Sequence, residues 1–338
     1  MLHLFNPEND LALGAGCRHY TPPPRVSALH RAGGLMPAWW SGASDCILAP
    51  EATDSEAGWL EREYGLRTDL SPVGCPRPWG WSADARRQFL AAGVAAESLP
   101  SDEDVERMRF LSHRRTSVSI LSALGRGDLA GCELKEVGED IAMTCGDFFV
   151  KSPWSCSGRG VFSSRGLQTD VLRSRMAGII RRQGSVMVEK EWEKVRDFAV
   201  LFVSDGVKAG FAGWSMFEVE RRGAYTGNVV APQDVLRGRI GCDDIDISGL
   251  ETVLSRLVAP YYKGPFGVDM MVYRDGGIEK VHPCIELNLR MTMGFVAMEV
   301  QNRLSLDRPA LLGWEYGDVS AVPLLKPREG FALTLKVL

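Results

Sequence analysis

The chain has 338 residues, 45% hydrophobic and 24% charged, which is enough for two or three domains with a sizeable core. Its formal net charge of −4 gives no general attraction to nucleic acid or to an anionic membrane. The eight cysteines contain no C-x-x-C pair and no His-rich run accompanies them, which argues against zinc and fits reduced thiols in a cytoplasmic protein. The N-terminal MLHLFNPEND has too short an apolar run for a signal peptide or anchor. No apolar stretch approaches the roughly 20 residues that span a bilayer.

Taken in chain order, residues 1–105 alternate short strands with helices, an α/β pattern that favours a parallel sheet. Residues 2–5 predict a strand opening into a polar loop at 6–10, with Glu8 and Asp10 as spare carboxylates. A helix starts at 26. Residues 46–49 predict a buried strand and 55–64 a helix. Pro76 to Trp81 reads as a stiff aromatic loop, and Ser82 caps a helix to about 92. Ser101 and Asp104 make a capping box for a helix through 110. Helices follow at 114–124 and 136–144. Residues 148–151 predict a strand ending in Lys151, and residues 152–160 a loop of small hydroxyl and glycine residues whose N–H groups can approach an anion. Neither a Walker A motif nor a dinucleotide-binding glycine fingerprint occurs. Beyond 145 antiparallel signals dominate: strands at 185–189, 197–203, 207–211, 225–230 and 331–337, with helices at 169–182, 249–259 (capped by Ser248) and 297–304.

The most informative stretch is 264–294. Asp275-Gly276-Gly277 is hairpin chemistry, because glycine accepts the positive φ of a tight turn. The first strand places one carboxylate, Asp269, in an apolar run. The second carries Glu286 and Asn288 two apart, on one face. A carboxylate in an apolar strand is costly unless paired. Three oxygen ligands from adjacent strands suit a hard cation such as Mg2+, and Arg290 beyond them suits a phosphate or carboxylate.

Four elements in fixed order then resemble the ATP-grasp superfamily over roughly residues 106–300. They are a helix with a basic residue (SHRRTSVSIL), a strand lysine leading into SCSGRGV, VEKEWEKVRDFAV, and GVDMMVY followed by IELNLR. The resemblance implies a pre-ATP-grasp-like α/β domain (1–105), then an α+β ATP-grasp fold with antiparallel sheets. That fold divides into a small lid subdomain (106–190) and a C-terminal subdomain with the metal site (191–338). It also implies roles. Lys151 contacts the α- and β-phosphates. Ser155, Ser157, Gly158, Arg159 and Gly160 close over the β- and γ-phosphates, with Arg159 also catalytic. Glu189 and Lys190 line the adenine slot, and Asp197 takes the ribose hydroxyls. Arg114 reaches phosphate, with Arg115 the alternative one residue on. Asp269, Glu286 and Asn288 hold Mg2+, two ions being expected and Mn2+ a substitute. Arg290 stabilises the transferred phosphoryl group.

The activity implied is an ATP-dependent ligase that makes an acyl phosphate from a small-molecule or peptide carboxylate and passes it to an amine or thiol. The alternatives are an ATP-grasp-type kinase and a nucleotide-binding regulatory module without turnover. A homodimer is compatible with either enzyme. Candidates to line the acceptor pocket are Asn6, Glu8, Asn9, Asp10, Tyr20, Trp79 and Trp81, the tryptophans being equally readable as loop packing. Acidic residues near Asn6 point towards a cationic or amine substrate.

Overall fold

Strand β1 (Leu2–Leu4) lies between β2 (Cys46–Ile47) and β3 (Pro76–Pro78), parallel to both, in a computed structural model that describes residues 1–138, 147–155, 160–219, 225–241 and 244–338. The expected loop at 76–81 is thus partly a strand. Its prolines are tolerated because β3 is an edge, where missing N–H donors cost little. The polar loop at 6–10 is also shorter than expected: helix α1 (Asn9–Ala15) begins inside it, with Asp10 in the first turn where a carboxylate favours the helix dipole. Helices α2 (Pro24–Ala32), α3 (Asp54–Tyr64) and α4 (Ala83–Ala91) follow, the last two capped by Thr53 and Ser82.

Helix α5 (Asp102–Leu111) carries the Ser101–Asp104 capping box in full, and α6 (Arg115–Ala123) starts at Arg114. Residues 136–138 are not helical; the rest of the helix expected there lies outside the described residues. Strands β4 (Cys132–Leu134), β5 (Phe148–Lys151), β6 (Val161–Ser163) and β7 (Val186–Lys190) form an antiparallel sheet of order β4-β7-β5-β6, backed by α7 (Thr169–Gln183).

The largest sheet has eight strands. It contains β8 (Glu193–Ser204), β9 (Ala209–Val219), β10 (Tyr225–Val230), β11 (Gly264–Asp275), β12 (Ile278–Asn288), β13 (Ala310–Tyr316), β14 (Val322–Pro323) and β15 (Phe331–Val337). Its order is β12-β11-β8-β9-β10-β13-β15-β14. Helices α8 (Gln233–Ile240), α9 (Ile247–Leu257) and α10 (Met293–Leu304) connect it. The cap of α9 is Asp246, not Ser248: its carboxylate accepts from Gly249 N at 2.8 Å, and the helix begins two residues earlier than expected. The β11–β12 turn has φ of 59° at Gly276 and 83° at Gly277, the left-handed pair that a two-residue hairpin requires.

Alternation along the strands divides the large sheet. Phe266, Val268, Met270 and Val272 of β11 face a core made with α5, α6, α8 and α9. The opposite face buries Leu201, Val230, Leu312 and Leu333 against Val296 and Val300 of α10, and against Phe5, Met36, Trp39 and Leu60 from the first hundred residues. Full burial of each such side chain stabilises by about 1.5–3 kcal/mol. The N-terminal unit therefore shares a core with the large sheet. Trp39 Nε1 donates to Leu324 O (3.1 Å) and Tyr64 Oη to Pro323 O (2.6 Å).

The loop after β3 joins the two. Trp79 N donates to Leu4 O (2.6 Å), while Trp79 O accepts from Met291 N (2.7 Å). Asn6 pairs reciprocally with the Gly80 backbone at 2.9 and 3.3 Å. A Cβ on Gly80 would stand 2.4 Å from Asn9 Cγ. Gly80→Ala is therefore expected to lower stability by about 1–3 kcal/mol, the usual range for overpacking a filled interior. Thermal and urea denaturation measure it, and an unchanged midpoint would mean that Asn9 yields freely.

Candidate active site

The hairpin sets the geometry. Asp269 and Glu286 are direct partners across β11 and β12, and Gly267 is opposite Asn288. Their side chains share one sheet face, away from the Val268/Met270 core. The register shifts between Asp269 and Met271, whose partner is His282. The extra residues lie on β12 around Pro283, where a bulge in an edge strand absorbs the missing donor.

Two arginines answer these carboxylates. Arg114, buried at the start of α6, makes a 2.8 Å ion pair with Glu286. It also donates to Ser152 O and Ser155 Oγ, each at 3.1 Å, at the entry to the glycine-rich loop. Its position is fixed from both sides. Arg114 N donates to Pro153 O (3.1 Å), and His113 Nδ1 accepts from Arg115 N (2.9 Å). Burial and neighbouring arginines push His113 down to about 3, so it stays neutral in this role. Arg115 turns elsewhere, to Glu133 (3.3 Å) and over the Phe110 ring. Arg290 grips Asp10 through Nε and Nη2 at 2.9 Å, and Nη2 also donates to Asn288 Oδ1 (2.9 Å).

Arg114, Ser155, Asp269, Glu286, Asn288 and Arg290 thus line one cavity of about 350 Å3, with Asp10 opposite. The other expected residues among those described do not line it. Lys151 donates to Glu189 across β5 and β7; the second Glu189 oxygen and Nδ1 of His282 are buried without hydrogen-bond partners among the described residues. Lys190 stacks over Trp192 at 3.8 Å, and Asp197 accepts from Lys194 at 2.6 Å. Gly160 adopts φ 72°, with its would-be Cβ 2.4 Å from Ser152 Oγ. Ser157, Gly158 and Arg159 lie outside the described residues.

Of the acceptor candidates, Asp10 and Trp79 line the cavity. Glu8 is buried against His30 (3.0 Å), Asn6 holds Gly80, and Trp81 packs on Phe89. Both acids near Asn6 are therefore already paired. The sequence reading missed Ser215 and Phe217 of β9, Tyr225 and Asn228 of β10, Trp314 of β13, and Thr292 to Gly294 at the start of α10.

Two carboxylates and an amide oxygen on one face suit Mg2+, which also keeps waters and takes phosphate oxygens. Among the described residues no three His, Cys, Asp or Glu side chains gather to hold a metal, so the set is sparse. The electrostatics fit a site for a divalent cation. Burial, then the charge of Glu286, pushes Asp269 up to about 7; burial also raises Glu286 against the pull of Arg114.

By sequence the chain matches no family model and no curated protein. By structure it is similar to a putative ATP-grasp superfamily protein from Archaeoglobus fulgidus: TM-score 0.50, 12% identity, 100% of this chain and 99% of that one covered. It is similar to N5-carboxyaminoimidazole synthetase from Staphylococcus aureus, solved with ADP (0.50, 12%, 99% and 91%). It is also similar to the biotin carboxylase domain of 2-oxoglutarate carboxylase from Hydrogenobacter thermophilus, a dimer solved with MgADP (0.51, 12%, 94% and 75%). No helix among the described residues is long and apolar enough to cross a membrane.

A pH test follows from Asp269. Its folded value lies above the ordinary carboxylate value, so the folded state holds the proton more tightly. Without metal, stability should fall as pH rises from about 4 to about 7. Asp269→Asn should be more stable than the parent at pH 8, with the gain vanishing below about pH 4. Thermal melts across that range decide; a pH-independent difference would remove the assignment.

Proposed function

Because the chain has the ATP-grasp fold, we propose that it is an ATP-dependent ligase that activates a carboxylate as an acyl phosphate and transfers the acyl group to an amine or thiol. The observation that carries this reading is the facing pair Asp269 and Glu286, bound through Arg114 to the glycine-rich loop and opening, beside Arg290, into a substrate-sized cavity.

In this reading Asp269, Glu286 and Asn288 hold Mg2+, with two ions expected and Mn2+ able to substitute. The metal supplies charge neutralisation at the phosphate oxygens. Lys151 is a point charge for the α- and β-phosphates, released from Glu189 when nucleotide enters. Ser155, Ser157, Gly158, Arg159 and Gly160 cover the terminal phosphates, with Arg159 neutralising charge there. Glu189 and Lys190 border the adenine, and Asp197 accepts from the ribose. Arg114 keeps the loop and the metal strand in register. Arg290, oriented by Asp10, faces the phosphoryl group in flight.

A substrate carboxylate oxygen attacks the γ-phosphorus as the bond to ADP breaks. The amine then attacks the acyl carbon, phosphate leaves with the C–O electron pair, and a proton passes to solvent. Positioning and exclusion of water are the protein's main contributions, since the activated carboxylate hydrolyses readily. The substrates are small molecules or peptides, a cytoplasmic setting suits ATP use, and a homodimer is compatible with the site.

Product analysis tests the reading. A ligase releases ADP and phosphate only when both carboxylate and acceptor are present. A kinase leaves a stable phosphorylated product, and a regulatory module binds ATP without forming ADP. Glu286→Gln and Asp269→Asn are each expected to lower kcat by about 100-fold or more with unchanged circular dichroism. Lys151→Ala should weaken ATP binding by about tenfold or more, read by calorimetry. Retained turnover in the first two, or an unchanged Kd in the third, would refute the respective role.

A further inference from the structure

The cavity is not uniform. Its charged end lies on β11 and β12, where Asp269, Glu286 and Arg290 meet. From there it runs across the same sheet face over β8, β9 and β10 to Trp314 on β13. The step from β11 to β13 crosses four strand spacings, roughly 19 Å along the curved sheet. The far wing is apolar: Phe217 and Val219 of β9 and Trp314 of β13 form its floor, and Val26 and Leu29 of α2 with Met293 its roof.

The polar side chains of β9 and β10 on that wing are paired with one another. Asn228 Nδ2 donates to Ser215 Oγ at 2.7 Å, and the Tyr225 hydroxyl donates to Asn228 Oδ1. The nearby acids are also engaged, Asp10 by Arg290 and Glu8 by His30. Nothing among the described residues of the wing therefore offers a carboxylate to a cationic substrate. The walls are held by aromatic contacts: Trp314 stacks with Phe5 at 6.4 Å, and Phe5 meets Trp79 edge-on at 5.3 Å. Such a wing gains most by covering an apolar surface.

We propose that the carboxylate substrate is an apolar-bodied monocarboxylate, its carboxylate at the Asp269–Arg290 end and its aryl or branched aliphatic body over β9, β10 and β13. The inference rests on the ligase reading and gives that reading a substrate class. In the step concerned, a carboxylate oxygen forms the bond to the γ-phosphorus, the bond to the ADP oxygen breaks, and the electron pair leaves with ADP.

The test uses the full chain with Mg2+, ATP and hydroxylamine. Hydroxylamine nitrogen displaces phosphate from the activated acyl carbon, gives a hydroxamate and loses a proton to solvent. Phenylacetate, 3-phenylpropionate, 4-methylpentanoate and octanoate are compared with glycolate, lactate, succinate and malate. Hydroxamate and ADP are expected from the apolar set with kcat/KM about tenfold or more above the polar set. Trp314→Ala should raise KM for the best apolar carboxylate about tenfold with KM for ATP little changed, and Trp314→Phe should recover most of the loss. Equal or better turnover of the polar set, or an unchanged KM in Trp314→Ala, overturns the inference while leaving a ligase. Calorimetry with a non-hydrolysable ATP analogue and Mg2+ separates the two readings. An apolar carboxylate that binds without turnover removes the ligase and keeps the assignment of the wing, whereas an apolar set that neither binds nor reacts overturns the assignment.

Discussion

Two carboxylates directly opposite one another on a largely buried sheet face are the constraint to which the rest of the molecule responds. Asp269 and Glu286 cannot both be charged there at low cost, since each desolvates and repels the other. The fold supplies two guanidinium groups. Arg114 comes from a helix outside the large sheet and ties Glu286 to the loop after β5. Arg290 follows the end of β12 and ties Asn288 to Asp10. Three separate parts of the chain are thereby held at one place by charge, and a divalent ion would complete the neutralisation they begin.

The hairpin was the most legible element because its signals are local and agree. Asp-Gly-Gly sets the turn and the turn sets the register as far as Met271 and His282; the two extra residues of the β12 bulge, which the sequence did not announce, then bring Asp269 opposite Glu286. The Ser101–Asp104 capping box was legible for the same reason. Other features depended on tertiary context. Pro76 and Pro78 read as loop because proline normally interrupts a sheet; only the edge position of β3 admits them. Ser248 was the natural cap by type, yet Asp246 accepts from Gly249 and moves the helix start. The run containing Trp314, ALLGWEY, lacks a clear apolar–polar alternation and is broken by a glycine, so the far wing of the cavity was not assigned from sequence. Lys151 and Glu189 were named separately, but nothing in their spacing predicted that they would bind each other.

The N-terminal α/β unit has a small core of its own around Leu2, Leu4 and Phe89. Its other face is common property with α10 and β13 to β15. Asp10 is placed by α1, α1 by the Asn9 contact with Gly80, and Gly80 by its pairing with Asn6. The side chain that orients Arg290 is therefore held by a chain of short-range fits that begins far from the large sheet.

The Trp79 peptide has a consequence for dissecting the protein. Its N–H belongs to the first sheet and its carbonyl receives the N–H next to Arg290. A fragment begun after residue 105 would lose that acceptor together with Phe5, Met36, Trp39 and Leu60, leaving α10 with a bare apolar flank. Such a fragment would be prone to aggregate even though it retained Asp269, Glu286 and Asn288. Dividing this chain at residue 105 would misread it, because the first hundred residues line the cavity through Phe5, Asp10 and Trp79 and form the mould in which the remainder sets.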